Sequence, residues 1–161
     1  NTKSVQTPLG TTTMSVPVTS LVLCSVLRAG LPLHQGLLNY FDRAENAFIS
    51  AYRHHPGGGD AFEVIVKYFA APALDGKTLV LTDPMLATGG SLIATIDLIK
   101  ETGCQKIRGI FMVAAPEGIE KLQEAHPDVE IWVAAIDEKL NEVGYILPGL
   151  GDAGDRQFGT G

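Results

Sequence analysis

The sequence has few cysteines, no basic cluster and no long apolar run. Its two cysteines, Cys24 and Cys104, have no neighbours at metal-ligand spacing, so we expect two buried free thiols. Lys and Arg number 12 against 18 Asp and Glu, giving a net charge of −6 and arguing against a nucleic-acid-binding face. No apolar run approaches the roughly 20 residues that span a membrane. These absences predict a cytoplasmic protein that binds neither nucleic acid nor membrane.

The patterning of the chain predicts a single α/β domain over residues 1–161. Hydrophobic residues make up 45% of the chain, which is enough for a packed core. Apolar runs typical of strands alternate with stretches of helical spacing, and this alternation predicts a mostly parallel twisted sheet flanked by helices. The predicted strands are 21–27, 47–52, 62–69, 77–82, 107–114 and 129–136, and the predicted helices are 33–41, 92–101 and 116–125. Polar residues 1–20 are expected to be irregular or an edge segment.

Three charged residues lie where predicted strands end. Arg28 follows the first buried strand, Arg53 the second and Asp83 the strand over 77–82. Ligands of parallel α/β sheets bind beyond the carboxyl ends of the strands. We therefore expect these side chains at a common binding site, although a lone surface arginine more often pairs with a carboxylate.

The segment from Asp83 to Ser91 is the strongest local signal. A buried strand ends in a carboxylate, and a short loop then brings Thr88, Gly89, Gly90 and Ser91 to the start of a helix. Free N–H groups and the helix dipole favour a phosphate there. The segment has neither the Walker nor the Rossmann glycine pattern. An ordinary capped helix after a glycine turn remains the alternative on these residues alone.

Longer stretches resemble the uracil phosphoribosyltransferase family of type I phosphoribosyltransferases. Asp83-Pro84-Met85-Leu86-Ala87-Thr88-Gly89-Gly90-Ser91 resembles the loop that binds phosphoribosyl pyrophosphate (PRPP), in the single-acid form of the uracil enzymes. Residues 144–160 resemble the family's C-terminal hood over the pyrimidine, and 27–31 resemble its pyrophosphate loop. Residues 51–53 resemble its next arginine position, although His54-His55 replaces the usual polar pair. The family's N-terminal helical region, tens of residues long, is missing from this sequence.

The resemblance implies a full set of site residues. The PRPP-binding set would be Arg28, Ala29, Gly30, Arg53, Asp83, Pro84, Met85, Leu86, Ala87, Thr88, Gly89, Gly90, Ser91 and Asp152. Catalytic roles would fall to Asp83, Arg28 and Asp152, and the uracil-binding set would be Tyr145, Ile146, Gly151, Asp152 and Ala153. Magnesium would be held through PRPP, with no protein ligand assigned.

The resemblance also implies an activity and partners. The protein would convert uracil and PRPP to UMP and pyrophosphate in pyrimidine salvage, as a homodimer or higher homo-oligomer with GTP as a candidate activator. Residues 52–69 would form a β-arm and 138–161 the hood. The alternative is a regulatory protein that senses PRPP or nucleotides on the same fold. Among the remaining residues, we expect His54 and His55 in a solvated loop, His34 and His126 in capping or surface positions, and Trp132 in the core.

Overall fold

The computed structural model describes residues 2–15, 20–54 and 63–160, and for 51–54 and 63–67 it describes the backbone alone. Its strands are β1 (Thr2–Thr7), β2 (Gly10–Ser15), β3 (Leu21–Leu27), β4 (Glu45–His54), β5 (Glu63–Ala70), β6 (Thr78–Thr82), β7 (Met85–Leu86), β8 (Lys106–Ala114), β9 (Glu130–Ile136), β10 (Lys139–Leu140) and β11 (Ile146–Leu147). Its helices are α1 (Leu31–Leu38), α2 (Gly90–Glu101), α3 (Pro116–Ala125) and α4 (Ala153–Phe158).

A mostly parallel sheet forms the centre of the molecule, in the order β5-β4-β3-β6-β8, with β9 beyond β8. The pairs β3–β4, β3–β6, β6–β8 and β8–β9 are parallel, and only β4–β5 is antiparallel among these. The short strand β7 pairs with the last two residues of β8. The α/β fold with a mostly parallel sheet is therefore confirmed.

The core lies on the face of the sheet that α2 covers. β3 and β6 are in the middle of the sheet and are apolar on both faces, as buried parallel strands are. Helix α2 buries Leu92, Ile96 and Ile99, which recur at helical spacing on one side. Burial of each such side chain stabilises the fold by roughly 1.5–3 kcal/mol. This packing fixes where α2 begins relative to the end of β6.

Several local predictions differ from the structure. Residues expected to be irregular or an edge segment include the two strands of an antiparallel hairpin, β1 and β2. Trp132 is 61% exposed instead of buried. Among the described strands β9 pairs with β8 alone, and it points Ile131 and Val133, not Trp132, at the core. His34 is buried inside α1 and neither caps that helix nor lies at the surface. His126 is also buried, but it is the C-cap residue of α3, which agrees with the capping position expected for it.

The predicted β-arm falls partly outside the described residues. Its first residues belong to β4 and its last residues to β5, and these two strands run antiparallel with His54 paired to Glu63. Residues 55–62, which include His55, lie outside the described part of the chain. Of the helices that are described, none is both long and apolar enough to cross a membrane. Both cysteines are buried and free, as predicted.

Candidate active site

The carboxyl ends of neighbouring parallel strands place the predicted charged residues along one edge of the sheet. Arg28 directly follows β3 and Asp83 directly follows β6, and these strands are hydrogen-bonded neighbours. Arg53 lies near the end of β4, on the other side of β3, and only its backbone is described. The peptide bond between Leu27 and Arg28 is cis. Gly30 follows as the N-cap of α1, and its N–H donates to the Val26 carbonyl at 2.9 Å.

Asp83 is held in place by the backbone around it. Its Oδ1 accepts a hydrogen bond from the Met85 N–H at 3.1 Å, and its own N–H donates to the Ile110 carbonyl at 3.3 Å. Burial raises the pKa of Asp83 to about 7, with a smaller contribution from the nearby Asp152 carboxylate, while the bond from Met85 lowers it. A carboxyl poised near neutral pH beside a second carboxylate suits a site that receives hydroxyl groups or a cation.

This pKa predicts how Asp83 affects stability with pH. The folded-state pKa is raised above the ordinary 3.8, so the folded protein holds a proton that the unfolded chain loses first. Asp83 therefore destabilises the fold increasingly as pH rises from about 4 to 7. Urea unfolding would give the difference in the free energy of unfolding between Asp83→Asn and wild type at each pH. We expect this difference to shift in favour of Asp83→Asn by roughly 1–3 kcal/mol from about pH 5 to pH 8. A difference independent of pH would contradict the assignment, and Asp75→Asn, in an exposed turn, is the control.

The loop after Asp83 brings the N-terminus of α2 to the same edge of the sheet. Gly89 is the N-cap of α2 in the left-handed conformation, with φ of 75°, which favours glycine. The first helical bond runs from the Ile93 N–H to the Gly89 carbonyl, at 2.9 Å. Gly89 itself has no side chain that could cap this end of the helix. The N–H groups of Gly90 and Ser91 and the helix dipole can therefore serve an anion.

Helix α3 packs directly behind this loop through a second glycine. A Cβ built on Gly118 would lie 2.1 Å from the Ala87 carbonyl oxygen and 3.0 Å from that of Leu86. A Cβ built on Gly89 would lie 3.2 Å from the Gly118 carbonyl oxygen. Two backbones therefore touch here, and the position of the loop depends on the absence of a side chain at 118. The sequence pattern gave no reason to choose Gly118.

The C-terminal segment is built from short elements joined by side-chain hydrogen bonds. β10 and β11 pair antiparallel, and Asn141 Oδ1 accepts the N–H groups of Val143 and Tyr145 in the turn between them. Asp152 caps α4 by accepting the Asp155 N–H at 2.8 Å. Asp137 accepts the Gly149 N–H at 3.0 Å. These contacts explain how a segment with little periodicity has a defined fold.

Glu117, in the first turn of α3, holds this segment against that helix. Its Oε1 accepts a hydrogen bond from the Leu140 N–H at 3.0 Å, and that bond is the main cause of the lowered pKa of Glu117. Leu140 pairs with Ile146, so Glu117 supports the hairpin that carries part of the predicted uracil pocket. Glu117 was not predicted as a site residue.

We expect Glu117→Ala to loosen the hairpin and raise the KM for uracil a few-fold, with little change in the KM for PRPP. Glu117→Gln keeps an acceptor oxygen and should restore most of the lost affinity. Steady-state kinetics with each substrate varied in turn would measure both constants. An equal rise in both KM values for Glu117→Ala would show that Glu117 acts on the whole site.

The loop and the C-terminal segment face each other across a cleft of about 400 Å³. The loop contributes Met85 and Ala87, and the C-terminal segment contributes Tyr145, Gly151 and Asp152, with Val143 and Gly144 completing the lining. A broader groove of about 650 Å³ lies between α3 and the end of β9, but its charged lining residues, Glu120 and Glu124, are both acidic. The cleft lies beside the loop that leads to the start of α2, where N–H groups and the helix dipole favour an anion, so it is the better site for an anionic substrate.

Not every predicted site residue lines this cleft with its side chain. Ile146 and Ala153 are buried, with 2% and 6% of their surface exposed, and neither is among the residues that line the cleft. Arg28 turns towards the C-terminal segment, where Asp155 Oδ1 accepts from its Nη2 at 2.8 Å. Thr160 Oγ1 accepts from Arg28 Nη1 at 2.6 Å. Asp155 and Thr160 were not predicted, because each lies more than a hundred residues from Arg28 in the sequence.

Solved phosphoribosyltransferases have this architecture. A purine phosphoribosyltransferase from Pyrococcus horikoshii matches with a TM-score of 0.60 and 19% identity, over 75% of this chain and 73% of that one. A hypoxanthine phosphoribosyltransferase from Staphylococcus aureus matches with a TM-score of 0.57 and 15% identity, over 74% of this chain and 63% of that one. The fold is therefore that of the type I phosphoribosyltransferases.

Sequence comparison then narrows the class to one family. The family model described as uracil phosphoribosyltransferase matches residues 1–160, and the chain belongs to that family. Relatives named uracil phosphoribosyltransferase include one from Agrobacterium fabrum, 48% identical over 98% of this chain and 75% of its own, and one from Brucella ovis, 48% identical over 99% and 76%. The AQ2163 protein from Aquifex aeolicus has a TM-score of 0.90 and 36% identity, over 99% of this chain and 76% of that one.

Proposed function

We propose that this protein transfers the phosphoribosyl group of PRPP to uracil, forming UMP and pyrophosphate. The bond between C1′ and the pyrophosphate oxygen breaks, a bond from C1′ to a ring nitrogen of uracil forms, and that nitrogen loses its proton. The observation that carries the proposal is the cleft in which the glycine loop after Asp83 faces the C-terminal segment, in a chain of this family. One wall suits a sugar phosphate and the other a small planar base.

The loop residues Ala87, Thr88, Gly89, Gly90 and Ser91 would bind the 5′-phosphate of PRPP. The backbone N–H groups at the start of α2 point out of the helix, and the dipole favours a doubly charged phosphate. Pro84, Met85 and Leu86 would hold the loop near the ribose, because the Pro84 carbonyl accepts the Val113 N–H at 3.0 Å and Met85 and Leu86 pair with β8.

Arg28 and Arg53, with the backbone of Ala29 and Gly30, would bind the pyrophosphate. Guanidinium groups bind phosphate oxygens through paired hydrogen bonds and stay charged while pyrophosphate leaves. Both arginines follow or lie near the ends of adjacent strands, which supports a joint role. They also supply local positive charge in a chain whose net charge is −6.

Asp83 would accept hydrogen bonds from the ribose hydroxyls. Bond cleavage at C1′ gives the sugar the character of an oxocarbenium ion, and an ionised carboxylate close to the ring stabilises that charge. Hydroxyl donors and the developing cation favour the ionised form of Asp83, so we expect substrate to lower its pKa below 7. Positioning of the two substrates supplies much of the remaining rate enhancement.

Magnesium fits this site when its ligands come mainly from the substrate. The described residues contain no group of three or more side chains able to hold a metal alone. Asp83 and Asp152 are close enough for one carboxylate to raise the pKa of the other. One or two carboxylates together with phosphate oxygens suit Mg²⁺, which would neutralise pyrophosphate charge.

Uracil would lie under the C-terminal segment, where backbone groups of Ile146, Gly151 and Ala153 would form hydrogen bonds with the polar edge of the base. Tyr145 lines the same cleft. Asp152 lines the cleft and caps α4, so it would lie between the two substrates. Assembly as a homo-oligomer and activation by GTP stay predictions of the family resemblance.

A coupled assay on the protein tests this function. Uracil, PRPP and Mg²⁺ should give UMP and pyrophosphate, while cytosine, orotate, hypoxanthine and adenine, tested in parallel, should give no nucleotide. Product from another base instead of uracil would overturn the assignment of the base pocket. Failure with every base, by a folded protein that still binds PRPP, would favour the sensing protein.

A further inference from the structure

Every nitrogen of the Arg28 guanidinium faces a residue of the C-terminal segment. Nη2 donates to Asp155 Oδ1 at 2.8 Å, and Nη1 donates to Thr160 Oγ1 at 2.6 Å. Nε faces Gly154, where an added Cβ would lie 3.6 Å away. The Phe158 ring centroid lies 5.9 Å from the guanidinium carbon. Arg28, which follows β3, is therefore held in place by residues close to the C-terminal end of the sequence.

The two acceptors are also bonded to each other. Thr160 Oγ1 donates its proton to Asp155 Oδ1 at 2.8 Å, which closes a ring of three hydrogen bonds with Arg28. The backbone supports this ring, because the Gly159 N–H donates to the Asp155 carbonyl at 2.7 Å. Charge-assisted hydrogen bonds of this kind are stronger and more directional than neutral ones.

The ring leaves Arg28 able to bind an anion. A guanidinium has more N–H donors than these two bonds use, and the side chain remains 49% exposed. A free arginine loses rotamer freedom when it binds phosphate, whereas one already held in place loses less. The contact with Asp155 therefore need not be broken for pyrophosphate to bind, and it limits the directions in which the guanidinium can point.

We propose that Asp155 and Thr160 are positioning residues that aim the Arg28 guanidinium at the pyrophosphate of PRPP. The inference rests on the proposed function and adds to it a device that joins the pyrophosphate loop to the segment covering the base. Asp155 and Thr160 act through Arg28 and do not themselves touch the reacting atoms.

The test compares three variants in two measurements. Asp155→Asn removes the charge, Thr160→Val removes the hydroxyl at constant shape, and Thr160→Ser keeps the hydroxyl. We expect Asp155→Asn to raise the KM for PRPP and the dissociation constant of magnesium pyrophosphate about tenfold, since bonds to charged groups are the stronger ones. Both constants should rise less in Thr160→Val and almost not at all in Thr160→Ser. The KM for uracil and the melting temperature should change little.

A second ion pair serves as the matched control. Arg108 Nε and Glu130 Oε2 are 2.8 Å apart, with exposures similar to those of Arg28 and Asp155, but they lie towards the amino ends of β8 and β9. Glu130→Gln should therefore leave pyrophosphate binding and both KM values unchanged. A similar weakening of pyrophosphate binding in Glu130→Gln would mean that the removal of any surface ion pair weakens binding.

Two results would overturn the proposal. Tighter binding of magnesium pyrophosphate by Asp155→Asn would mean that Asp155 competes with the substrate for Arg28. A similar rise in both KM values together with a lower melting temperature, with no recovery in Thr160→Ser, would mean a merely structural role. Titration calorimetry with magnesium pyrophosphate needs no turnover. A failure of this proposal would therefore be seen in the binding data of the variants. A failure of the proposed function would be seen instead as the absence of UMP formation by the wild-type protein.

Discussion

Asp83→Asn should fold normally and lose turnover by roughly 10²-fold, the size of effect seen when a preorganised charge-stabilising group is removed. The asparagine oxygen can still accept the Met85 N–H, so the turn after β6 keeps its hydrogen bond. What is lost is the negative charge beside the ribose, which matters most when positive charge develops at C1′. The expected loss is therefore in kcat more than in the KM for PRPP.

Steady-state kinetics at saturating uracil would measure this change. Asp75→Asn is the matched control, because Asp75 lies in an exposed turn just before β6, at the opposite end of the strand from Asp83. It should have wild-type kinetics. A kcat for Asp83→Asn close to that of wild type would remove Asp83 from the mechanism.

Gly118→Ala should abolish most PRPP binding although it adds only one methyl group. The new Cβ would lie 2.1 Å from the Ala87 carbonyl oxygen, so the loop that receives the 5′-phosphate, or helix α3, must move. Overpacking of this kind costs roughly 1–3 kcal/mol of stability. A displacement of about 1 Å in a substrate-positioning group can lower activity about 10²-fold. We expect a loss of that size in kcat/KM for PRPP.

A second helical glycine provides the control for this change. Gly36 lies in α1, and beyond its own helix no heavy atom of the described residues lies within 4 Å of a Cβ built on it. Gly36→Ala should therefore keep activity and slightly stabilise the protein. PRPP titration calorimetry and thermal unfolding of both variants would separate loss of binding from loss of fold. Wild-type PRPP affinity in Gly118→Ala would show that the loop does not depend on this contact.

The C-terminal segment shows why prediction from sequence was uneven. Family resemblance marked residues 138–161 as a unit, but their lack of periodicity gave no fold by itself. The segment is held by single hydrogen bonds such as those accepted by Asp137, Asn141 and Asp152. Such bonds depend on how the chain turns and leave no repeating pattern in the sequence. For Trp132 the local structure was predicted correctly as a strand, but the exposure of its side chain was not predicted.

The amino-acid sequence by itself determined the order of the main strands and helices between Leu21 and Ile136, the mostly parallel sheet and the loop after Asp83. These follow from the local spacing of apolar residues and from glycine at a helix start. Only the tertiary structure decided that Asp155 and Thr160 hold Arg28, that Glu117 supports the hairpin, and that Gly118 must lack a side chain. Those contacts join elements far apart in the chain, and they arise from the packing of the sheet, which brings separate segments together at one edge.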